Sequence, residues 1–144
     1  MRVRMVMSQQ VISAEVTESL IEVARRMRTD GISALPVING EQLVGIISER
    51  DLVDAFIAGT DARQALVSAY MTPHPQYASP DDDSLDIAVR MLQLGIRHLP
   101  VVDGGQLVGM VSARDLLVLG PTSGARRPTV HPNMRPGGDV PTTP

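Results

Sequence analysis

The chain repeats itself, and that repeat constrains its fold more than any other feature. Shifted by 64 residues, Gly31–Leu52 lies on Gly95–Leu116 without a gap, and 14 of the 22 aligned positions are identical. The same shift pairs Val3 with Val67, Met7 with Met71, Ala24 with Ala88 and Met27 with Met91. A repeat unit of roughly 55 residues therefore occurs twice before Gly120. A unit of that size buries too little of its own surface to stand alone. The expectation is two homologous halves packed about a pseudo-twofold axis. Along the chain this reads as repeat one over residues 1–60, a linker over 61–70, repeat two over 71–120 and a flexible tail over 121–144. The tail holds 6 of the 11 prolines and has few apolar residues, as an extended arm would.

Each copy carries the same order of local signals. Ser19 followed by Glu22 is a capping-box pattern that starts a helix. Leu20, Val23, Ala24 and Met27 then share one helical face; in the second copy Leu85, Ala88 and Leu92 are assigned that face, with Met91 beside them. Gly31 and Gly95 end these helices. Two apolar runs follow, Leu35–Ile38 and Leu43–Ile47, joined through Asn39-Gly40; Asp103-Gly104 serves the second copy. Asn-Gly or Asp-Gly between apolar runs is a strong hairpin signal. Neither run alternates cleanly, which predicts strands buried on both faces. Ser48 and Ser112 open second helices bearing Leu52, Ala55 and Phe56, or Leu116, Leu117 and Leu119. With a short first strand at Val11–Ser13, and at Gln76–Ala78 in copy two, each repeat is β-α-β-β-α, and the fold class is α/β (α+β).

Composition removes many functions. No cysteine is present, which excludes disulfide scaffolds, thiolate metal sites and cysteine nucleophiles. All 13 basic residues are arginine, so catalytic-lysine chemistry is absent. Aromatics are limited to Phe56, Tyr70 and Tyr77, too few for a base-stacking nucleic-acid platform. Residues 1–120 are acidic and the tail, with Arg126, Arg127 and Arg135, is basic; three arginines neutralise few phosphates, so nucleic acid is not expected as a partner. No apolar run approaches the roughly 18 residues that span a bilayer. The start does not read as a secretory signal, so a cytoplasmic protein without membrane attachment is expected. Asp81-Asp82-Asp83 is read as a solvated helix start rather than a metal site, and His74, His98 and His131 lack ligand spacing. No catalytic or metal-binding residues are assigned, and no enzyme activity is expected.

The duplicated polar residues are Ser48-x-Arg50-Asp51 and Ser112-x-Arg114-Asp115. Helix capping alone accounts for the serine and the acid. The same geometry also offers free N–H groups to an anion, a hydroxyl donor, and a carboxylate that can accept from ligand hydroxyls. Arg50 and Arg114 stand at helix starts, where a cation is unfavourable unless an anionic neighbour compensates. Before Leu-Pro-Val, copy two has Arg97-His98 where copy one has Ser33-Ala34. Glu49 stands opposite Ala113 in the alignment, so the copies differ in charge at the helix start.

Leu35-Pro36-Val37, Leu43–Ser48 and Arg50-Asp51, repeated at Leu99-Pro100-Val101, Leu107–Ser112 and Arg114-Asp115, resemble a pair of CBS domains, the regulatory module named after cystathionine β-synthase. Met71-Thr72 with Ser79–Asp82 is similar to that family's opening segment. The resemblance covers all but the tail. It implies a non-catalytic sensor, dimeric in many members, that binds an adenosine-containing ligand in clefts between the repeats. On that reading the ligand is an adenine nucleotide (AMP, ADP or ATP), ahead of S-adenosylmethionine or NADH, and no cofactor is required. Adenine is expected against Ile32, Val37, Ile96 and Val101, ribose at Asp51 or Asp115, and phosphates at Ser48 or Ser112 with Arg97 and His98. Ser13 and Tyr77 occupy the first-strand position near the nucleoside, and Tyr77 can stack on a base or block it. The alternative is a ligand-free dimeric interaction module that uses the repeat surface and the basic tail toward an unknown protein partner.

Overall fold

A computed structural model describes residues 1–117; the tail expected over 121–144, and Leu119, lie outside the described residues. The elements run β1 (Ala14–Glu15), α1 (Leu20–Asp30), β2 (Ala34–Asn39), β3 (Gln42–Ser48), α2 (Glu49–Ile57), α3 (Val67–Tyr70), β4 (Thr72–Pro73), α4 (Ser84–Leu94), β5 (His98–Asp103), β6 (Gln106–Ser112) and α5 (Ala113–Leu117). One mixed sheet runs in the order β1-β2-β3-β6-β5, with β4 on β3. The hairpins β2–β3 and β5–β6 meet where Gln42 pairs with Gln106. Those glutamines are 64 residues apart, so the pseudo-twofold axis passes between them. Each hairpin has its own aliphatic core: Leu20, Val23, Met27, Leu35, Val37 and Ile47 in one, Ile87, Met91, Leu99, Val101 and Val111 in the other.

Ser19 caps α1 by accepting from Glu22 N, and Asp83 caps α4 by accepting from Leu85 N. Gly31 and Gly95 end these helices in the left-handed region, at φ 65° and 66°, where a β-carbon would be strained. Two sequence expectations need correction. The first strand is displaced: β1 is Ala14–Glu15 rather than Val11–Ser13, and copy two retains only a single bridge from Ala78 to Val101. Ala14 and Ala78 are fully buried, so small side chains against Val37 and Val101 set that register. The buried face of α4 is Ser84, Ile87 and Met91, while Leu85 and Leu92 are 70% and 83% exposed. Those buried positions are the counterparts of Leu20, Val23 and Met27, so repeat register, not local hydropathy, selects the face. Phe56 and Leu117 are likewise exposed.

The halves are cross-braced by their leading segments. Residues 2–8 lie on repeat two: Val3 N donates to Asp82 O, Arg4 N to Pro80 O, and Ser8 exchanges two backbone hydrogen bonds with Met110 at 2.8 and 2.9 Å. Val3 is fully buried in that second core. Residues 66–73 do the same on repeat one: Val67 N donates to Glu18 O, and Thr72 and Pro73 pair with Ile46 and Gly45. The stretch between the repeats also serves repeat one, because Ala65 O and Ala62 O accept from Leu20 N and Ile21 N, two of the otherwise unpaired donors at the start of α1.

These crossings require glycine in the receiving strands. A β-carbon on Gly45 would lie 2.5 Å from Met71 Sδ and 3.0 Å from Thr72 O; on Gly109 it would lie 2.8 Å from Met7 Sδ and 2.9 Å from Ser8 O. A thioether can swing aside, but a backbone oxygen held in a ladder cannot. Gly109→Ala and Gly45→Ala are therefore each expected to lower stability by about 1–3 kcal/mol. Thermal denaturation of the two variants checks this; negligible shifts would contradict it.

Candidate functional site

The sequence-assigned residues fall into two groups in space. Around each hairpin's open end, His98 pairs with Ser112 and Ala34 with Ser48. Ala113 N donates to Arg97 O and Glu49 N to Ser33 O. The structure thus gathers Arg97, His98, Ser112, Arg114 and Asp115 at one end, and Ser48, Arg50 and Asp51 at the pseudo-equivalent end. The carboxylates are held alike. Asp51 Oδ2 accepts from Ser48 N at 2.8 Å and Ser48 Oγ at 3.1 Å, and Asp115 Oδ2 accepts from Ser112 N at 2.9 Å. Each serine hydroxyl accepts from the aspartate N–H, completing a reciprocal cap. Among the described residues the second carboxylate oxygen of each aspartate has no protein donor, so each half-buried carboxylate keeps acceptor capacity. Ile32 and Ile96 are half-buried against the cores behind these ends. Val37 and Val101, expected against adenine, are fully buried in the cores and present no surface to a ligand.

The second group lines two clefts flanking the Gln42–Gln106 contact. One, of about 530 Å³, is lined by Leu43, His74, Pro75, Tyr77, Val102, Gly104 and Gly105. The other, of about 330 Å³, is lined by Gln9, Val11, Ser13, Ile38, Gly40, Glu41, Gln106, Leu107 and Val108. Ser13/Tyr77, Ile38/Val102 and Gly40/Gly104 are counterparts at the 64-residue shift, so the clefts are pseudo-equivalent. Each takes a wall from both repeats, through Leu43 or Leu107. Ser13 and Tyr77 are the sequence-assigned residues that reach these clefts; Ser48, Asp51, Ser112 and Asp115 do not line them. Sequence reasoning missed Ile38, Val102, Leu43 and Leu107, although the residue after each Leu-Pro-Val, read in register, would have found the first two. It also missed His74, whose backbone is left-handed at φ 51°, an uncommon state for a non-glycine residue.

The acidic run is a structural unit. Asp81 pairs with Arg4 and with Arg2, Asp82 accepts from Ser79 N at 2.8 Å, and Asp83 caps α4. No group of three His, Asp or Glu side chains among the described residues is placed to hold a metal ion. The Leu85 N–H, with smaller contributions including the Asp86 N–H, holds the Asp83 carboxyl below its ordinary value of 3.8. A carboxyl lowered in the folded state stabilises the fold above its unfolded pKa and loses that contribution as pH falls through the folded value. Asp83→Asn keeps the cap acceptor but not the charge. Denaturant unfolding should therefore show a deficit for Asp83→Asn near neutrality that begins to shrink as pH falls past about 3.8 and is gone only below the lower, folded value. A deficit independent of pH would contradict it.

Comparison with known proteins follows the same division of the chain. The family model for the CBS domain matches twice, over residues 3–58 and 67–120. Protein MJ1225 of Methanocaldococcus jannaschii is 31% identical over 118 residues, a stretch covering 81% of this chain and 42% of that protein. The chain thus spans less than half the length of that relative. The solved CBS domain pair of protein MJ0100, in complex with 5′-methylthioadenosine and S-adenosyl-L-methionine, superposes with a TM-score of 0.71 at 27% identity, covering 83% of this chain and 94% of that one. CBSX2 in complex with AMP gives a TM-score of 0.71 at 25% identity, covering 81% and 93%.

Proposed function

The chain belongs to the CBS-domain family, with two copies in tandem, and from that premise we propose that it is a non-catalytic regulatory module sensing an adenosine-containing ligand, with an adenine nucleotide as the first candidate. The observation that carries the reading is the pair of half-buried aspartates, each fixed by its own serine yet keeping a carboxylate oxygen with no donor among the described residues. A ribose diol supplies the donors such an oxygen lacks. In repeat two the same end offers Arg97, His98 and the Ser112 hydroxyl to phosphate; in repeat one, Ser48 is accompanied by the acidic Glu49, which disfavours a polyphosphate. The base lies on the side of Tyr77, with half-buried Ile96 behind the polar end as its apolar surface. The complexes of MJ0100 and CBSX2 named above support the ligand class. Titration calorimetry with AMP, ADP, ATP, S-adenosylmethionine and NADH tests it. Saturable binding of at least one is expected, weakened about tenfold by Asp115→Ala through loss of a charged acceptor. Folded protein that binds none at millimolar concentration would overturn the reading.

The module acts as a homodimer in the cytoplasm, and its partner reads a ligand-dependent difference between packing states. Leu85, Val89 and Leu92 form an exposed stripe on α4 at helical spacing, beside exposed Leu117 on α5. Phe56 and Ile57 are exposed on α2 at 84% and 77%. Apolar helix faces of this kind mark an interaction surface. Sedimentation equilibrium should give a dimer for the native chain and a monomer for Leu92→Glu; a native monomer at all concentrations would contradict the assembly.

A further inference from the structure

The repeats differ at one buried-edge ion pair, and the difference opens a third cavity. In repeat one, Arg26 Nη1 forms an ion pair with Glu18 Oε2 at 2.7 Å and donates to Ser13 O at 2.9 Å. Glu18 Oε1 also accepts from Glu15 N. The 64-residue counterparts in repeat two are Arg90, Asp82, Tyr77 and Ser79. Asp82 keeps the backbone contact, accepting from Ser79 N at 2.8 Å. It is one methylene shorter than Glu18, and no ion pair to Arg90 forms. Arg90 instead donates to Gln76 Oε1 at 2.9 Å, its only hydrogen bond among the described residues. A guanidinium has five N–H donors, so most of its capacity is unused among the described residues. Between these groups lies a cavity of about 390 Å³ lined by Pro75, Gln76, Tyr77, Ser79, Asp82 and Arg90. Pro75 and Tyr77 also line the larger cleft, so the two spaces share a wall.

We propose that this cavity is an anion subsite of the repeat-two cleft, with Arg90 as the anchor for a phosphate or carboxylate carried by the cleft ligand. The proposal rests on the adenosine reading above. The shorter Asp82 leaves the arginine unneutralised, where the longer Glu18 neutralises its counterpart. Tyr77 borders both the space for the apolar part of the ligand and the space for its charge. Because repeat one has its pair closed, a ligand with an anionic end is directed to repeat two, and the two clefts become unequal.

Calorimetric titration of the full chain with two matched pairs tests this: AMP against adenosine for phosphate, and S-adenosylmethionine against 5′-methylthioadenosine for carboxylate. In the native protein the anionic member of at least one pair should bind more tightly, by about tenfold or more. Arg90→Gln should weaken that preference severalfold, leaving only what the Arg97–His98 end contributes, and leave the neutral member unchanged. Asp82→Glu, which gives repeat two the acid of repeat one, should close the ion pair and weaken the preference as well. Arg26→Gln should retain it. The pair that shows the preference identifies phosphate or carboxylate. A neutral member that binds as well as its anionic partner in both pairs, or an Arg90→Gln protein with the preference intact, overturns the subsite and leaves the adenosine reading standing. Failure of all four compounds to bind overturns both.

Discussion

The structure depends on the close approach of a leading segment to the second hairpin strand of the opposite repeat. Ser8 pairs with Met110 beside Gly109, and Thr72 and Pro73 pair with Ile46 and Gly45 beside the Met71 thioether. Each repeat thereby supplies a piece of the other's core, Val3 to the second and Val67 to the first. Among the described residues the hairpins pair strand to strand at Gln42 and Gln106 alone. Without the crossed segments, two small cores would share little surface, and units of this size bury too little to be stable separately. Sequence continuity and spatial membership therefore part company: residues at the start of the chain stabilise repeat two, and those leading into repeat two stabilise repeat one.

That bracing also shapes the clefts. Each cleft is walled by the first-strand segment of one repeat and by a hairpin residue of the other, Leu43 or Leu107. A ligand between them touches both halves, so its affinity is sensitive to their relative placement. This is the physical requirement for a sensor, since a ligand can shift an equilibrium only through differential contact with its states. The copies then diverge by single side chains within a shared frame: Tyr77 for Ser13, Asp82 for Glu18, and Arg97-His98 for Ser33-Ala34.

Much of this was legible in the sequence because duplication carries its own register. The helix stops at Gly31 and Gly95, the hairpins around Asn39-Gly40 and Asp103-Gly104, and the second helices opened by Ser48 and Ser112 all follow from local chemistry. Errors arose where hydropathy was read one copy at a time. Leu85 and Leu92 are more apolar than Ser84, yet Ser84 is buried because it occupies the position of Leu20. Val37 and Val101 read as ligand-facing and are core, since a strand buried on both faces gives no alternation from which to choose a side. The crossed segments were visible as matching Val3/Val67 and Met7/Met71, but which repeat each would join is a long-range property that pattern alone does not encode.

The central claim is that a polar end and a cleft in repeat two together form the binding surface for an adenosine-containing ligand. Amide chemical-shift mapping with AMP tests it most directly. The account predicts saturable perturbations clustered at Tyr77–Ser79, at Arg97–His98 and at Ser112–Asp115, with weaker changes at their repeat-one counterparts. Shifts absent at millimolar AMP, or confined to the exposed stripe of α4, would contradict it.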